Sequence, residues 1–136
     1  MLFLHPMDFL RKLTPTKRRG NLGEAAAARY LESRGMRVLD RNWRFRQWEL
    51  DLVCKDGDTI VFVEVKTRGA GTMGTPADGL NRKKQERLVK AASQYLTKKD
   101  LWDEPCRFDL AAVVDTGSSM DVEHVANAFD LTGMNI

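Results

Sequence analysis

The chain of 136 residues has little of what several kinds of chemistry require. It holds two cysteines, Cys54 and Cys106, and two histidines, His5 and His124. Neither cysteine belongs to a Cys-x-x-Cys pair, and the histidines lie far from both in sequence. A disulfide framework is thereby excluded, and a zinc centre has no ligand set to draw on. Both thiols are expected to be reduced and buried. Nothing supports a Ser-His-Asp or Cys-His nucleophile, because neither histidine accompanies a plausible partner. Glycine is present, but not in the spacing of a P-loop or a dinucleotide-binding turn. Long apolar runs are missing as well. Met1-Leu2-Phe3-Leu4 is interrupted by His5, Pro6 and Asp8, which is too short for a signal peptide or a bilayer span. The expectation is a cytoplasmic protein with no membrane partner.

What remains has the balance of a soluble globular domain, 43% hydrophobic and 30% charged. The length suits one domain with a real core. Residues 1–16 read as a peripheral arm and residues 17–136 as the domain, with no repeat or linker dividing it. The formal net charge is only +3, so local clusters rather than the total set the field a partner feels.

A first helix is expected from about Lys17 to Arg34, with the Ala25–Ala28 run as helix former and Gly35 as its stop. Ala27, Ala28 and Leu31 follow Glu24 at three, four and seven positions. Glu24 therefore lies on the stripe facing the core, where an acid needs a reason. A short strand is expected over Met36–Asp40, leading into Asn42–Arg46. Two further strands, Trp48–Lys55 and Thr59–Thr67, flank Asp56-Gly57, a strong hairpin signal. Ile60–Val63 is apolar on both faces, as in a central covered strand. Residues 69–79 read as a loop, Asn81–Thr97 as a helix, and Cys106–Asp115 and Asp121–Ala126 as strands. The tail from Asn127 is ambiguous.

Folding the hairpin with Asp56-Gly57 as its turn places Val53 opposite Ile60, Asp51 opposite Phe62 and Glu49 opposite Glu64. Side chains alternate along a strand. Glu49, Asp51, Glu64 and Lys66 then share one face, with Asp51 and Glu64 as diagonal neighbours. Acids this close repel unless they are protonated or something cationic sits among them. Hard oxygen ligands suit Mg²⁺ or Mn²⁺. Glu24 could complete such a set from the preceding helix. Two acids, a lysine and a hard cation are the equipment for phosphodiester hydrolysis. The bland alternative is an ordinary Glu64–Lys66 ion pair at a strand end.

Asp51, twelve intervening residues and Glu64-Val65-Lys66 match the Asp…Glu-x-Lys pattern of the PD-(D/E)XK nucleases. More closely, the chain resembles the YraN family of small, restriction-endonuclease-like bacterial proteins. The matching segments are Gly23-Glu24, Asn42-Trp43-Arg44, Glu49-Leu50-Asp51-Leu52, Val61 to Arg68, Lys84-Gln85 and Arg107-Phe108-Asp109. They cover roughly Gly20 to Val125. The resemblance implies an α/β fold with a mixed central sheet flanked by helices, similar to Holliday-junction resolvases. It also implies catalytic roles for Asp51, Glu64 and Lys66, and metal ligation by Glu24, Asp51 and Glu64. One departure stands out: Trp48 occupies the position before Glu49-Leu50-Asp51 where the family usually has glycine. An indole there narrows the mouth of the site or offers a base-stacking surface.

The expected partner is nucleic acid, most naturally DNA of branched or structured form. Arg44, Arg46, Arg68, Lys84 and Gln85 are the candidate contacts, together with Trp48. The plain alternative is that the basic run Arg82–Lys90 is a solvated helix face and that Trp43 and Phe45 pack in the core. Glu49 is a candidate addition to the site or a rim residue. Asp109 reads as a structural acid beside Arg107. A homodimer would suit a substrate with two strands to cut. A non-catalytic nucleic-acid-binding module on the same fold is the rival reading.

Overall fold

A computed structural model of the chain describes residues 14–71, 80–132 and 134. Most of the predicted arm, residues 1–13 with His5, and most of the predicted loop, residues 72–79, lie outside the described residues. The elements in order are α1 (Pro15–Ser33), β1 (Arg37–Phe45), β2 (Trp48–Asp56), β3 (Thr59–Gly69), α2 (Arg82–Lys99), β4 (Cys106–Asp115) and β5 (Met120–Phe129). The strands form one sheet in sequence order. Every neighbouring pair is antiparallel except β3 and β4. A parallel pair needs a long crossover, and α2 lies within it. The result is a mixed five-stranded α/β fold, in agreement with a restriction-endonuclease-like arrangement. Among the described residues, no helix is long and apolar enough to cross a membrane.

Each helix covers a different face of the sheet. Ala26, Ala27, Ala28 and Leu31 of α1 pack on Leu52, Cys54, Val61, Val63, Ala111 and Val113. Leu88, Ala91, Ala92 and Tyr95 of α2 pack on Leu50, Val53, Ile60, Phe62, Phe108 and Leu110. Strand β3 is thus buried on both sides, as its unbroken apolar run demands. The small residues of α1 matter for distance. A methyl group added at Gly23 would overlap the Oγ1 of Thr67 on β3. Glycine therefore lets the helix close onto the sheet one residue before Glu24.

Local chemistry explains the boundaries. Helix α1 starts two residues before the predicted Lys17, because Thr14 accepts from the Lys17 N–H at 3.2 Å and Pro15 suits the first turn. Asn81 caps α2 by accepting from the Lys84 N–H at 2.9 Å, and Asp100 ends it in the left-handed conformation. Strand β1 is continuous where a short strand and a separate segment were predicted. It bends instead, with a register shift between Val38 and Asp40 and a left-handed Asn42 at φ 49°. Strand β5 runs on to Phe129, whose ring stacks on Phe108 at 4.8 Å. That contact accounts for the strand continuing through the first residues of the ambiguous tail, to Phe129.

Two expectations need correction. Cys54 is buried, but Cys106 is exposed because it is the first residue of β4, at the end of the sheet. The hairpin register also differs by two residues. Asp56 pairs with Thr59, so the turn is Gly57-Asp58, and Val53 faces Phe62 rather than Ile60. A two-residue turn with positive φ at its first central position favours glycine there, and Gly57 has φ 59°. A slip of two keeps Val53 on the face it shares with Ile60 and Phe62, since the period is two. Asp109 is structural as expected. It is 1% exposed and is held by Arg107 at 3.0 Å, by His124 Nε2 at 2.7 Å and by the Asn127 N–H at 3.0 Å.

The close approach of α1 is testable. Gly23→Val should destabilise the protein by about 1–3 kcal/mol through overpacking, measured by urea unfolding. Thr67→Ala in the same background should recover part of the loss.

Candidate metal and nucleic-acid site

The site begins where β2 and β3 part. Their ladder runs from Asp56–Thr59 to Leu52–Val63 and stops. Beyond it the Asp51 carboxylate takes the place of backbone, accepting from the Val65 N–H at 2.9 Å. The face alternation of β2 breaks at the same residue. Leu50 packs on the α2 side, whereas Leu52, two positions on, packs on the α1 side. The partner strand is irregular there too. Left-handed Asn42 falls between the Arg41–Leu52 and Trp43–Leu50 pairs. A regular ladder would keep every second side chain on one face, so this twist is what turns Asp51 into the opening.

Glu64 meets Asp51 in that fork, and the two carboxyl groups are hydrogen-bonded to each other. Two carboxylates can share such a bond only if one carries a proton. Burial pushes the Glu64 pKa up to about 8, helped by the Asp51 charge and the shared hydrogen bond; Lys84 and Lys66 oppose the rise. Burial also raises Asp51, against the stabilising hydrogen bonds from Val65 and Glu64. Glu24 reaches in from α1. Its pKa is raised first by burial and then by the Asp51 charge, with a hydrogen bond from Asn42 and the nearby Arg44 opposing. Asp51 thus acts on both of the other acids, Glu24 from the helix stripe and Glu64 from the neighbouring strand.

A cavity of about 130 Å³ opens on this pair, lined by Glu49, Asp51, Glu64, Lys84, Arg87 and Leu88. Glu49 therefore belongs to its wall, and its side chain also pairs with Arg44 at 3.6 Å. Lys84 stands at the cavity as predicted. Gln85 does not: its amide donates to the Leu80 carbonyl at 2.8 Å and secures the entry to α2. Arg87 takes the place expected of Gln85. It lies one turn beyond Lys84, and that i, i+3 spacing was the available signal. Lys66 acts on Glu64 from two residues along β3. With Arg68 it also lines a neighbouring trough over β4 and β5. Arg46 lies over the Phe45 ring at 5.0 Å, at the tip of the β1–β2 hairpin. Trp48 is half-buried and packs with Trp43 against the α2-side core, so its indole is partly committed to packing. Asn42 is the other functional candidate that sequence reasoning passed over. Its left-handed backbone leaves no mark in the sequence beyond the tolerance of asparagine for that conformation.

The fit to a cation can be judged from these donors. Among the described residues, no three Asp, Glu, His or Cys side chains already form a closed cage. Asp51 and Glu64 are a contacting pair of hard oxygen donors. Mg²⁺ and similar ions are commonly held by one or two carboxylates, with water and substrate phosphate in the other positions. The pair fits that mode, with Glu24 supplying charge from beside it.

Residues 23–113 match the family described as "Uncharacterised protein family UPF0102". The chain is 49% identical over 113 residues to a UPF0102 protein of Nitratidesulfovibrio vulgaris strain DP4, covering 83% of this chain and 84% of that relative. It is 46% identical over 123 residues to one of Myxococcus xanthus, covering 89% and 98%. A third, from Geobacter metallireducens, is 43% identical over 112 residues, covering 82% and 92%. The span matched to the family includes every residue placed at the acid pair.

The acid pair makes a prediction about pH. A carboxyl whose pKa is higher folded than unfolded favours the fold while it is protonated. That contribution is whole below its ordinary value of 4.5 and is lost as pH rises towards about 8. In the metal-free protein, Glu64→Gln should therefore be stabilising at pH 8 and near neutral at pH 5, as measured by urea midpoints at the two values.

Proposed function

The chain belongs to the UPF0102, or YraN, family, and from that premise we propose that it is a divalent-cation-dependent nuclease that hydrolyses phosphodiester bonds in DNA. The observation carrying this reading is the contact of Asp51 with Glu64 at the sheet fork, beneath a rim of Lys84 and Arg87. Buried carboxyl groups in mutual contact are costly, and few structural purposes need them beside two cations. Asp51 and Glu64 would hold Mg²⁺ or Mn²⁺, with Glu24 adding negative charge nearby. When bound, the ion polarises a phosphoryl oxygen and lowers the pKa of a water.

The remaining work falls to the chain itself. Val65 fixes the Asp51 carboxylate through its N–H, so the acid is oriented before substrate arrives. The Lys66 ammonium, near Glu64, can orient the attacking water or stabilise charge developing on the phosphate. Lys84 and Arg87 meet the phosphate backbone at the mouth. Arg44 and Arg46, both exposed, extend the positive rim along the hairpin. Leu88, itself buried, closes the inner wall.

One observation favours a second reading, a nucleic-acid-binding module without catalysis: the acids are not gathered into a three-ligand cage. The two readings separate cleanly. Purified protein with Mn²⁺ should cleave branched, flapped or single-stranded DNA, and EDTA should stop it. Asp51→Asn and Glu64→Ala should abolish the cleavage, and Lys66→Ala should slow it by about 100-fold or more. DNA binding that ignores EDTA, with no turnover on any of these substrates, would instead establish the module.

A further inference from the structure

A second opening reaches the acid cluster from the opposite side of the sheet. It is a recess of about 350 Å³ bordered by α1, β1 and β2. Glu24 lies in its wall and feels the Asp51 charge, so the recess stands close to the acid pair. Their contents differ. The acid cavity, about 130 Å³, carries only charged groups and Leu88. That is room for about four waters, enough for a hydrated ion or one phosphate but not for a sugar and base. The recess is larger and mixed. Ala25 and Leu52 give it apolar surface, Asn21 and Asn42 give it carboxamides, and Arg41 and Arg44 give it guanidinium groups. Its size lies at the lower end of the range for small-ligand sites.

We infer that this recess is a nucleotide subsite, which receives an unpaired DNA base while Lys84 and Arg87 at the neighbouring cavity meet the strand's phosphates. Carboxamides both donate and accept, and so can pair with the exposed edge of a base. The apolar patch suits the base's faces, and Arg44 suits the adjoining phosphate. No aromatic ring lines the recess among the described residues, so recognition rests on base edges rather than stacking. A base within a duplex is stacked and paired, and reaching the recess would cost a few kcal/mol of unstacking. An unpaired strand bears no such cost. The site therefore selects single strands, flaps and frayed ends over continuous duplex. The inference rests on the nuclease reading for its phosphate position, but strand preference is measured without cleavage.

The test is fluorescence anisotropy of the full chain in EDTA, with a labelled single-stranded oligonucleotide and its duplex of equal length. Single-strand affinity should exceed duplex affinity by about 10-fold or more. Asn21 is exposed on α1, so Asn21→Leu should leave the fold intact. It should weaken single-strand binding by about 3- to 10-fold, the worth of one hydrogen bond, and narrow the ratio. Arg87→Ala should weaken both substrates and reduce the salt slope by about one. Equal affinity for both forms, or an Asn21→Leu effect equal on both, would overturn the subsite. If the strand preference holds but Mn²⁺ elicits no cleavage, the subsite stands and the nuclease reading fails. If duplex and single strand are cleaved alike and Asn21→Leu changes nothing, the nuclease reading stands and the subsite fails.

Discussion

The hydrogen bond from the Val65 backbone to the Asp51 carboxylate is the constraint on which the site depends. It stands where a ladder bond between β2 and β3 would otherwise continue. By substituting a side chain for backbone, it satisfies a buried N–H while releasing β2 to twist away. Everything distinctive about the site follows from that release. Asp51 is aimed at Glu64, Leu50 and Leu52 diverge to opposite faces, and cavities open on both sides of the fork. A flat, fully paired sheet would have no room there for an ion or a phosphate.

The rest of the fold supports an arrangement that is locally unfavourable. Burial raises the pKa of Glu24, Asp51 and Glu64, and the Asp51 charge adds to the rise at Glu24 and Glu64. Such crowding is tolerated because the adjoining Ile60–Val63 segment of β3 is buried on both faces and the helices are firmly seated. Gly23 lets α1 approach Thr67, which brings Glu24 within range of Asp51. On the other face Tyr95 fixes α2, with its ring edge-on to Phe62 and its hydroxyl donating to Asp40 at 2.7 Å. The helix so held presents Lys84 and Arg87 to the acids. On the strand beside β3, the Arg107–Asp109–His124 network ties β4 to β5. That gives the second histidine a structural task.

Much of this was legible in the residues. Alternation along β2 and β3 predicts that Asp51 and Glu64 come together, and they do so although the register differs by two residues, because the strand period is two. The helical stripe through Ala27, Ala28 and Leu31 correctly marks Glu24 as inward. What could not be read was backbone irregularity. Nothing in Asn42 announces a left-handed residue, and nothing in Leu50-Asp51-Leu52 announces a reversal of faces, because period-two reasoning assumes an unbroken pleat. Helix rotation was the other gap. Lys84, Gln85 and Arg87 are neighbours in sequence, but the Gln85 amide is drawn to the Leu80 carbonyl and Arg87 turns to the cavity. Trp48 shows the same difficulty, since a ring that could face substrate also fits the core edge beside Trp43.

The central claim is that Asp51 and Glu64, brought together at the fork, form a seat for one divalent ion. Calorimetric titration of the full chain with Mn²⁺ tests it most directly. The account predicts one binding event in the wild type, weakened at least 10-fold in Asp51→Asn and in Glu64→Gln while both variants keep their fold. Binding of equal strength in all three proteins, or no binding in the wild type, would contradict it.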